Sequence, residues 1–466
     1  MTTKHRSFWL QQALPGADSS PPLDTDLDVD VAIIGGGYVG LWTALRLVES
    51  HPGIQVAIVE ADVCGGGASG RNGGFVLSWW PKARTLVDMC GMDGARRLLQ
   101  ASEEAIDEIE AFCAEHAPEA EFHKGGLLWT ATSSAQLGAW SDVVAAADRL
   151  GEPGTFTALE PDEVARRSGS PMHLAGVLEG SGATVQPAHL ARALRRVALA
   201  RGVRIFEHTP MRRLRPGRPA IVETPAGRVR ADCVVLATNA WAAGHRELGS
   251  KLFVISSDVV ATEPIPDRLA RIGWTGGEAI TDSQALVCYY RTTREGRVVF
   301  GKGGWAIGMG GWMPPAMERH SGRAAMVTRD LRRYYPPLRT ARITHDWAGP
   351  IDRTYNSLPI FGHLGKHDNV VYGVGWSGNG VGPSVVGGKI LASMAVDAHD
   401  KWSENGLVHA PHRRFPPEPV RYVGAHLVRE AIVRKERAEA LDLPAGRIAM
   451  TLSKLAPSGL EDKAKT

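Results

Sequence analysis

The sequence predicts an α/β fold in two parts, a parallel-sheet unit of alternating strands and helices with a mixed-sheet domain inserted into it. Three observations carry that prediction. Residues 29–34 form an apolar run, Leu41, Leu45 and Val48 recur behind it at helical spacing, and residues 56–59 form a second apolar run. That succession reads as one βαβ unit of about thirty residues. Far downstream, CVVLATNAW at 233–241 reads as another buried strand running into a small-residue turn. Finally, residues 252–262, 285–290 and 297–301 alternate or run apolar, as strands of a second sheet do.

The junction between the first strand and its helix carries Gly35, Gly37 and Gly40 in G-x-G-x-x-G spacing. Alone that motif is weak, because glycines mark ordinary turns more often than phosphate sites. Its place between strand and helix makes the unit Rossmann-like. Gly35 permits the tight turn, Gly37 admits a pyrophosphate close to the backbone, and Gly40 lets helix and strand pack closely. The helix start then offers N–H groups and a partial positive charge to phosphates. Glu60 ends the second strand, placed to accept from a ribose diol and to repel a 2′-phosphate, which suits FAD or NAD rather than NADP. Residues 64–74, CGGGASGRNGG, follow at once where a nicotinamide domain would continue with another strand and helix. Glycines there let the backbone wrap the flavin end of FAD.

The block GASGRNGG behind a dinucleotide unit ending in Glu60 resembles the D-amino-acid oxidase superfamily of FAD-dependent amine oxidoreductases. The branch most similar contains gamma-glutamylputrescine oxidases and a group of aminophosphonate oxidoreductases. Resemblance to the second group runs from RSFWLQQAL at Arg6 through YYRTT at Tyr289 to WSGNGVGPS at Trp376, nearly the whole chain. It implies a glutathione-reductase-type FAD-binding domain, with Tyr38, Val39, Ser69, Arg71, Asn72 and Gly73 among the cofactor contacts. It further implies a backbone contact to adenine near Met211 and contacts to the pyrophosphate or ribityl chain at Ala237 and Thr238.

Length allows two or three cores. Hydrophobic content of 44% is ordinary for a globular protein, and a formal net charge of +3 with scattered basic residues gives no case for nucleic acid. Five cysteines without a C-x-x-C pair argue for a reducing compartment, against a disulfide framework and against a zinc site. No stretch approaches eighteen uninterrupted apolar residues, and the start lacks the apolar core of a signal peptide. The expectation is a cytoplasmic protein with no membrane span and no metal.

In chain order, residues 1–27 are a surface arm pinned by Phe8, Trp9 and Leu10. The FAD-binding domain is expected in three pieces, 28–80, 160–250 and 340–410, and the substrate domain in two, 81–159 and 251–339. Residues 93–116 read as an amphipathic helix whose acids, Glu103, Glu104, Asp107, Glu108 and Glu110, form a solvated face. Residues 134–150 read as another helix, Gln186 and Pro187 start one more, and 314–335 reads as a helix outside the second sheet. Residues 411–466 form a tail with a basic helix at 420–441, which covers the body or rests on a partner or an anionic surface.

Residues 376–384 form the second site motif. Gly378, Gly380 and Gly382 make a compact turn, and Pro383 opens a helix whose positive end points outward. Gly378, Asn379, Gly380 and Val381 are therefore expected at the flavin, where such an end stabilises the negative charge of the reduced ring. The chemistry implied is hydride transfer to flavin N5 from the carbon beside an amine nitrogen, giving an imine that water hydrolyses. It demands position and desolvation rather than an obligatory acid or base. Pocket candidates are Trp79, Trp80, Tyr289, Tyr290 and Trp376, of which about two are expected to touch substrate. Ring faces attract an ammonium by about 0.5 to 2 kcal/mol. For an anionic group, Arg291 is the first candidate, with Arg294, Arg353 and Lys302 behind it. Sarcosine oxidases of the superfamily place a lysine under flavin N5; Val299 stands there in this sequence, and Lys302, an odd offset away, falls on the opposite strand face. Oxygen or another electron acceptor is then needed. Expected substrates are an aminophosphonate, then a gamma-glutamyl polyamine or an amino acid. A flavin monooxygenase would consume NAD(P)H, but no second dinucleotide fingerprint is present; a flavin redox carrier would leave its pocket filled.

Overall fold

A computed structural model describes residues 5–318, 320–410 and 412–457. Two eight-stranded sheets dominate it. The first runs Ile360–Leu364, His367–Val374, Arg228–Leu236, Leu27–Ile34, Val56–Val59, Arg204–Phe206, with Ala220–Glu223 attached to Arg228–Leu236 and Arg213–Arg215 attached in turn to Ala220–Glu223. Leu27–Ile34 lies parallel to both central neighbours, pairing Val31 with Cys233 and with Val56. Alternation decides what covers it. Val31, Ile33 and Ile58 face a core shared with the helices Tyr38–Ser50, Pro187–Ala200 and Pro383–Ala395. Ala32, Ile34 and Val59 face the opposite way, toward Val222, Leu248 and Met317.

The second sheet runs Ile343–Arg353, Phe253–Thr262, Val298–Ile307, Cys288–Thr292, Ala279–Thr281, Leu127–Ala131, Ala175–Glu179, Phe156–Leu159. It is mixed: Ala279–Thr281 runs parallel to Leu127–Ala131, and the other pairings are antiparallel. Ala175–Glu179 and Ile343–Arg353 thus belong to this sheet, although residues 160–250 and 340–410 were expected in the first. Pairing with the distant Leu127–Ala131 and Phe253–Thr262 captures them, and local pattern carries no such partner information.

Residues 81–159 depart from expectation too. Ala83–His116 is broken at Cys90 and Gly91, whose dihedrals are not helical. Its later part packs through Ile106, Ile109 and Cys113 into the first sheet's core, with Phe112 edge-on to Trp42. Its acids are not merely solvated: Glu108 pairs with Arg46 and Lys389, and Glu103 accepts from Trp80 Nε1. Residues 134–136 form only a turn before the helix Ser141–Arg149, and 314–335 shortens to Ala324–Tyr334. Pro187–Ala200 starts as expected, with Gln186 capping it by accepting from His189 N.

The first described segment and the tail helix are docked on the body. Ser7 Oγ donates to Gly70 O at 2.5 Å, Trp9 Nε1 to Asn72 O at 2.9 Å, and Arg6 pairs with Asp62. The tail helix Val420–Glu439 buries Ile432 and Val433 against Leu286. No helix among the described residues is long and apolar enough to cross a membrane.

Candidate active site

A continuous cavity of about 2730 Å3 lies between the two sheets. Ligand pockets usually span roughly 300–1,000 Å3, so there is room for a dinucleotide and a separate substrate. One end is walled by Gly35, Gly37, Tyr38, Val39 and Glu60, with Met211, Ala237 and Thr238 beside them. The loop residues Ser69, Arg71, Asn72 and Gly73 follow, then Gly378, Asn379, Gly380 and Val381.

Close packing explains the glycines. Gly35 has φ +110°, and a Cβ there would stand 2.5 Å from Ala237 O. A Cβ on Gly40 would stand 2.0 Å from Gly35 O, so Gly40 sets helix against strand and lies outside the cavity wall. Glu60 accepts from Gly36 N and Asp62 N, both at 2.8 Å, which holds its carboxylate at the end of the second strand. Ser69 Oγ accepts from Tyr38 N at 3.0 Å and ties the helix start to the loop. Arg71 is buried and donates to the carbonyls of Gly66, Ala348 and His5, fixing the loop between the N-terminal arm and the second sheet. Such a cradle, narrow where a Cβ would clash and ending on a held carboxylate, fits FAD.

The second glycine turn is organised by a residue the sequence reading missed. Asp352, fully buried at the end of Ile343–Arg353, accepts from Gly375 N at 2.5 Å, Trp376 N at 3.0 Å and Asn239 Nδ2 at 3.1 Å. Burial raises its carboxyl to about 7 against the pull of those N–H groups. Its signal in the sequence was weak: an acid directly after the apolar run 347–351 of a strand that carries a second acid, Asp346. One expectation here needs correction. The helix Pro383–Ala395 does follow the turn, but Ser384 N and Val385 N are engaged by Gly380 O and Gly382 O, so its open end offers fewer N–H groups than expected.

Beyond the cradle, the chamber is walled by Trp79, Tyr289, Trp376, Ser257, Ile351 and Arg353. The Tyr289 ring fills the space left by two glycines: a Cβ on Gly301 would stand 2.1 Å from it and one on Gly73 2.7 Å. Its hydroxyl shares a 2.7 Å hydrogen bond with Ser257, and burial raises its pKa, keeping it neutral. Arg353 is held by Ser357 Oγ at 2.8 Å; burial lowers it to about 10, so it stays charged at neutral pH.

Three pocket candidates lie elsewhere. Trp80 is buried with its Nε1 on Glu103. Tyr290, on the opposite strand face from Tyr289, stacks on Phe300 at 4.9 Å and meets His173 Nε2 at 2.5 Å. Arg291 donates to Gly74 O and Val185 O beneath the Trp9 ring, so it braces the loop under the N-terminal arm rather than facing the chamber. Lys302, on the strand face opposite Val299, donates to Gln284 at 2.9 Å and pairs with Asp330 at 3.2 Å.

A fold with this cradle and a chamber beside it defines a class, and the family profile described as FAD dependent oxidoreductase (DAO) matches residues 30–394. The chain belongs to that family of FAD-dependent oxidoreductases. Among individual proteins, it is similar to gamma-glutamylputrescine oxidoreductase of Escherichia coli (strain K12), 28% identical over 420 residues that cover 89% of this chain and 94% of that protein. Its fold is shared with glycine oxidase from Geobacillus kaustophilus, with a TM-score of 0.66 at 22% identity over 80% of this chain and 96% of that one. L-proline dehydrogenase from P. horikoshii superposes with a TM-score of 0.65 at 19% identity, covering 80% and 94%.

Proposed function

We propose that this chain oxidises the C–N bond of a small primary or secondary amine bearing an anionic group, an aminophosphonate foremost. The observation that carries the reading is Arg353, a half-buried cation that stays charged at neutral pH in a chamber wall otherwise rich in aromatic and aliphatic side chains. A guanidinium binds carboxylate or phosphonate through its planar fork. With the anion on Arg353, the ammonium end falls among the faces of Tyr289 and Trp376. Apolar surroundings disfavour the charged amine, so the neutral form that reacts is enriched. Ser257 and Tyr289 form a neutral hydroxyl pair that orients the nitrogen without trapping its proton.

Gly35, Gly37, Glu60, Ser69, Asn72, Ala237, Thr238 and the 378–381 turn would hold FAD. When bound, FAD supplies the hydride acceptor. The role of the protein is to hold both ligands and keep water from the reacting carbon. Lys302 faces away from the chamber, which favours an electron acceptor other than oxygen.

A gamma-glutamyl polyamine is the second reading, favoured by the similarity to the Escherichia coli enzyme over nearly its full length. Anaerobic mixing of the yellow protein with 2-aminoethylphosphonate, its N-methyl form and gamma-glutamylputrescine separates the two. Loss of the long-wavelength flavin band with the phosphonates alone supports the first reading. Bleaching by gamma-glutamylputrescine alone supports the second, and bleaching by dithionite but by no amine overturns both.

A further inference from the structure

The family profile ends at residue 394, yet the cavity wall continues into the tail. Gly424, Leu427, Val428, Arg429 and Ile432, all on Val420–Glu439, line its outer end, and Leu427 is 59% exposed there, which marks the mouth. The helix is fixed in that position. Ile432 and Val433 pack on Leu286, and Leu286 N donates to Glu436 Oε1 at 2.8 Å.

Of the cations this helix brings to the wall, Arg421 and Lys435 are paired with Glu418 and Glu439, whereas Arg429 has no carboxylate pair among the described residues. It is half-buried, and its Nη1 donates to Trp305 O at 2.7 Å. Its Nε is buried without a hydrogen-bond partner among the described residues. Arg323 shares the Trp305 indole with it, both guanidinium carbons standing 5.8 Å from the ring centroid, and repels its charge. The tail's acids pair with other cations, Glu430 with Arg434, Glu439 with Lys435 and Glu418 with Arg421, and Glu430 offsets only part of the repulsion from Arg323. Two like charges beside an unused buried donor make a place where an anion relieves repulsion and completes a hydrogen bond.

We propose that Arg429 forms an entry subsite for phosphonate or carboxylate groups at the chamber mouth, through which anionic amines are captured before they reach Arg353. The assignment rests on the amine-oxidation reading given above for its substrate, though not for its anion chemistry. An appended helix thereby sets selectivity for a reaction whose cradle lies wholly within the family domain. Capture by a fixed charge at a cleft mouth raises association rate, and salt weakens it.

The test uses the FAD-loaded full chain and methylphosphonate as probe, followed by titration calorimetry. In an Arg353→Met background methylphosphonate still binds, and adding Arg429→Met weakens that binding by about tenfold or more, as loss of a charged hydrogen bond does. Arg429→Lys restores part of it. Arg434→Gln, on the same helix but paired at the surface, changes nothing. In kinetics, Arg429→Met lowers kcat/KM for an anionic amine through KM rather than kcat, relative to an uncharged analogue, and flattens its salt dependence. The proposal is overturned if Arg353→Met alone abolishes methylphosphonate binding, if the second substitution adds no effect, or if charged and uncharged amines suffer alike. Should no amine be oxidised, the functional reading falls while calorimetry still decides the subsite.

Discussion

Replacing Asp352 by alanine removes the one side chain that joins the second sheet, Asn239 and the flavin-side turn. The Gly375 and Trp376 backbones are buried, and each buried donor left without an acceptor costs about 1–3 kcal/mol, so the loss is roughly 2–6 kcal/mol. Asn239 is only partly buried and can turn to water. An opposing effect depends on pH. The wild-type carboxyl is raised from 3.8 to about 7. A raised acid contributes its full stability below its unfolded-state value, and that contribution is lost as pH climbs through 7. At 1.36 kcal/mol per unit, wild type loses roughly 3 kcal/mol between pH 5 and pH 8 from this group, whereas the variant loses none. The stability gap between them therefore narrows by roughly 3 kcal/mol over that range. Urea unfolding of both apoproteins at the two pH values, followed by tryptophan fluorescence, measures it. FAD titration of the folded variant should show affinity about tenfold weaker, because the turn loses its anchor. A gap that stays constant or widens with pH would refute the reasoning.

Three further outcomes are expected. Gly40→Ala puts a Cβ 2.0 Å from Gly35 O and 3.2 Å from Ile33 Cγ2, so the helix must retreat; overpacking of this kind costs about 1–3 kcal/mol, and apoprotein titration should show weakened FAD binding. His173 is buried and lowered to about 4, so the stability it confers as a neutral ring is complete above pH 6.5 and is lost as pH falls toward 4, roughly 3 kcal/mol in all. His173→Phe flattens that acid limb in urea midpoints measured from pH 4 to 7. Arg353→Met raises KM for an anionic amine by about tenfold or more in steady-state assays, as a charged hydrogen bond is worth roughly 1.5–3 kcal/mol.

What the sequence disclosed followed from how local each signal was. The first βαβ unit is local, and its strand, turn and helix stand where periodicity put them. The residues of the 64–74 loop and of the 378–381 turn line one cavity because glycines at those positions answer to close approach of backbone. Arg291 was misread because strand alternation says only that it shares a face with Tyr289. What covers that face is the N-terminal arm, whose Trp9 arrives from far away in sequence. Tyr290 follows from the same alternation, turned toward His173. Asp352 was illegible as a site residue, and Arg353 stood only behind Arg291 as an anion candidate, because Ile343–Arg353 pairs with Phe253–Thr262, a register that no local pattern specifies. The basic tail showed amphipathic spacing but not the surface it would meet.

The clasp at the N-terminus has a consequence for when the cradle can close. Ser7 and Trp9 hold the carbonyls of Gly70 and Asn72, yet Trp9 O is itself held by Gln186 Nε2. Arg71 O accepts from Trp347 Nε1, and Arg71 Nη1 donates to Ala348 O. Ser7 and Trp9 therefore wait for residues 347 and 348 before the loop they hold is locked. Translation supplies Arg71 first and Ala348, which holds it, 277 residues later, so stable capture of the coenzyme waits for that part of the chain. A nascent chain stalled before residue 343 would carry the G-x-G-x-x-G signature and still hold its ligand loosely.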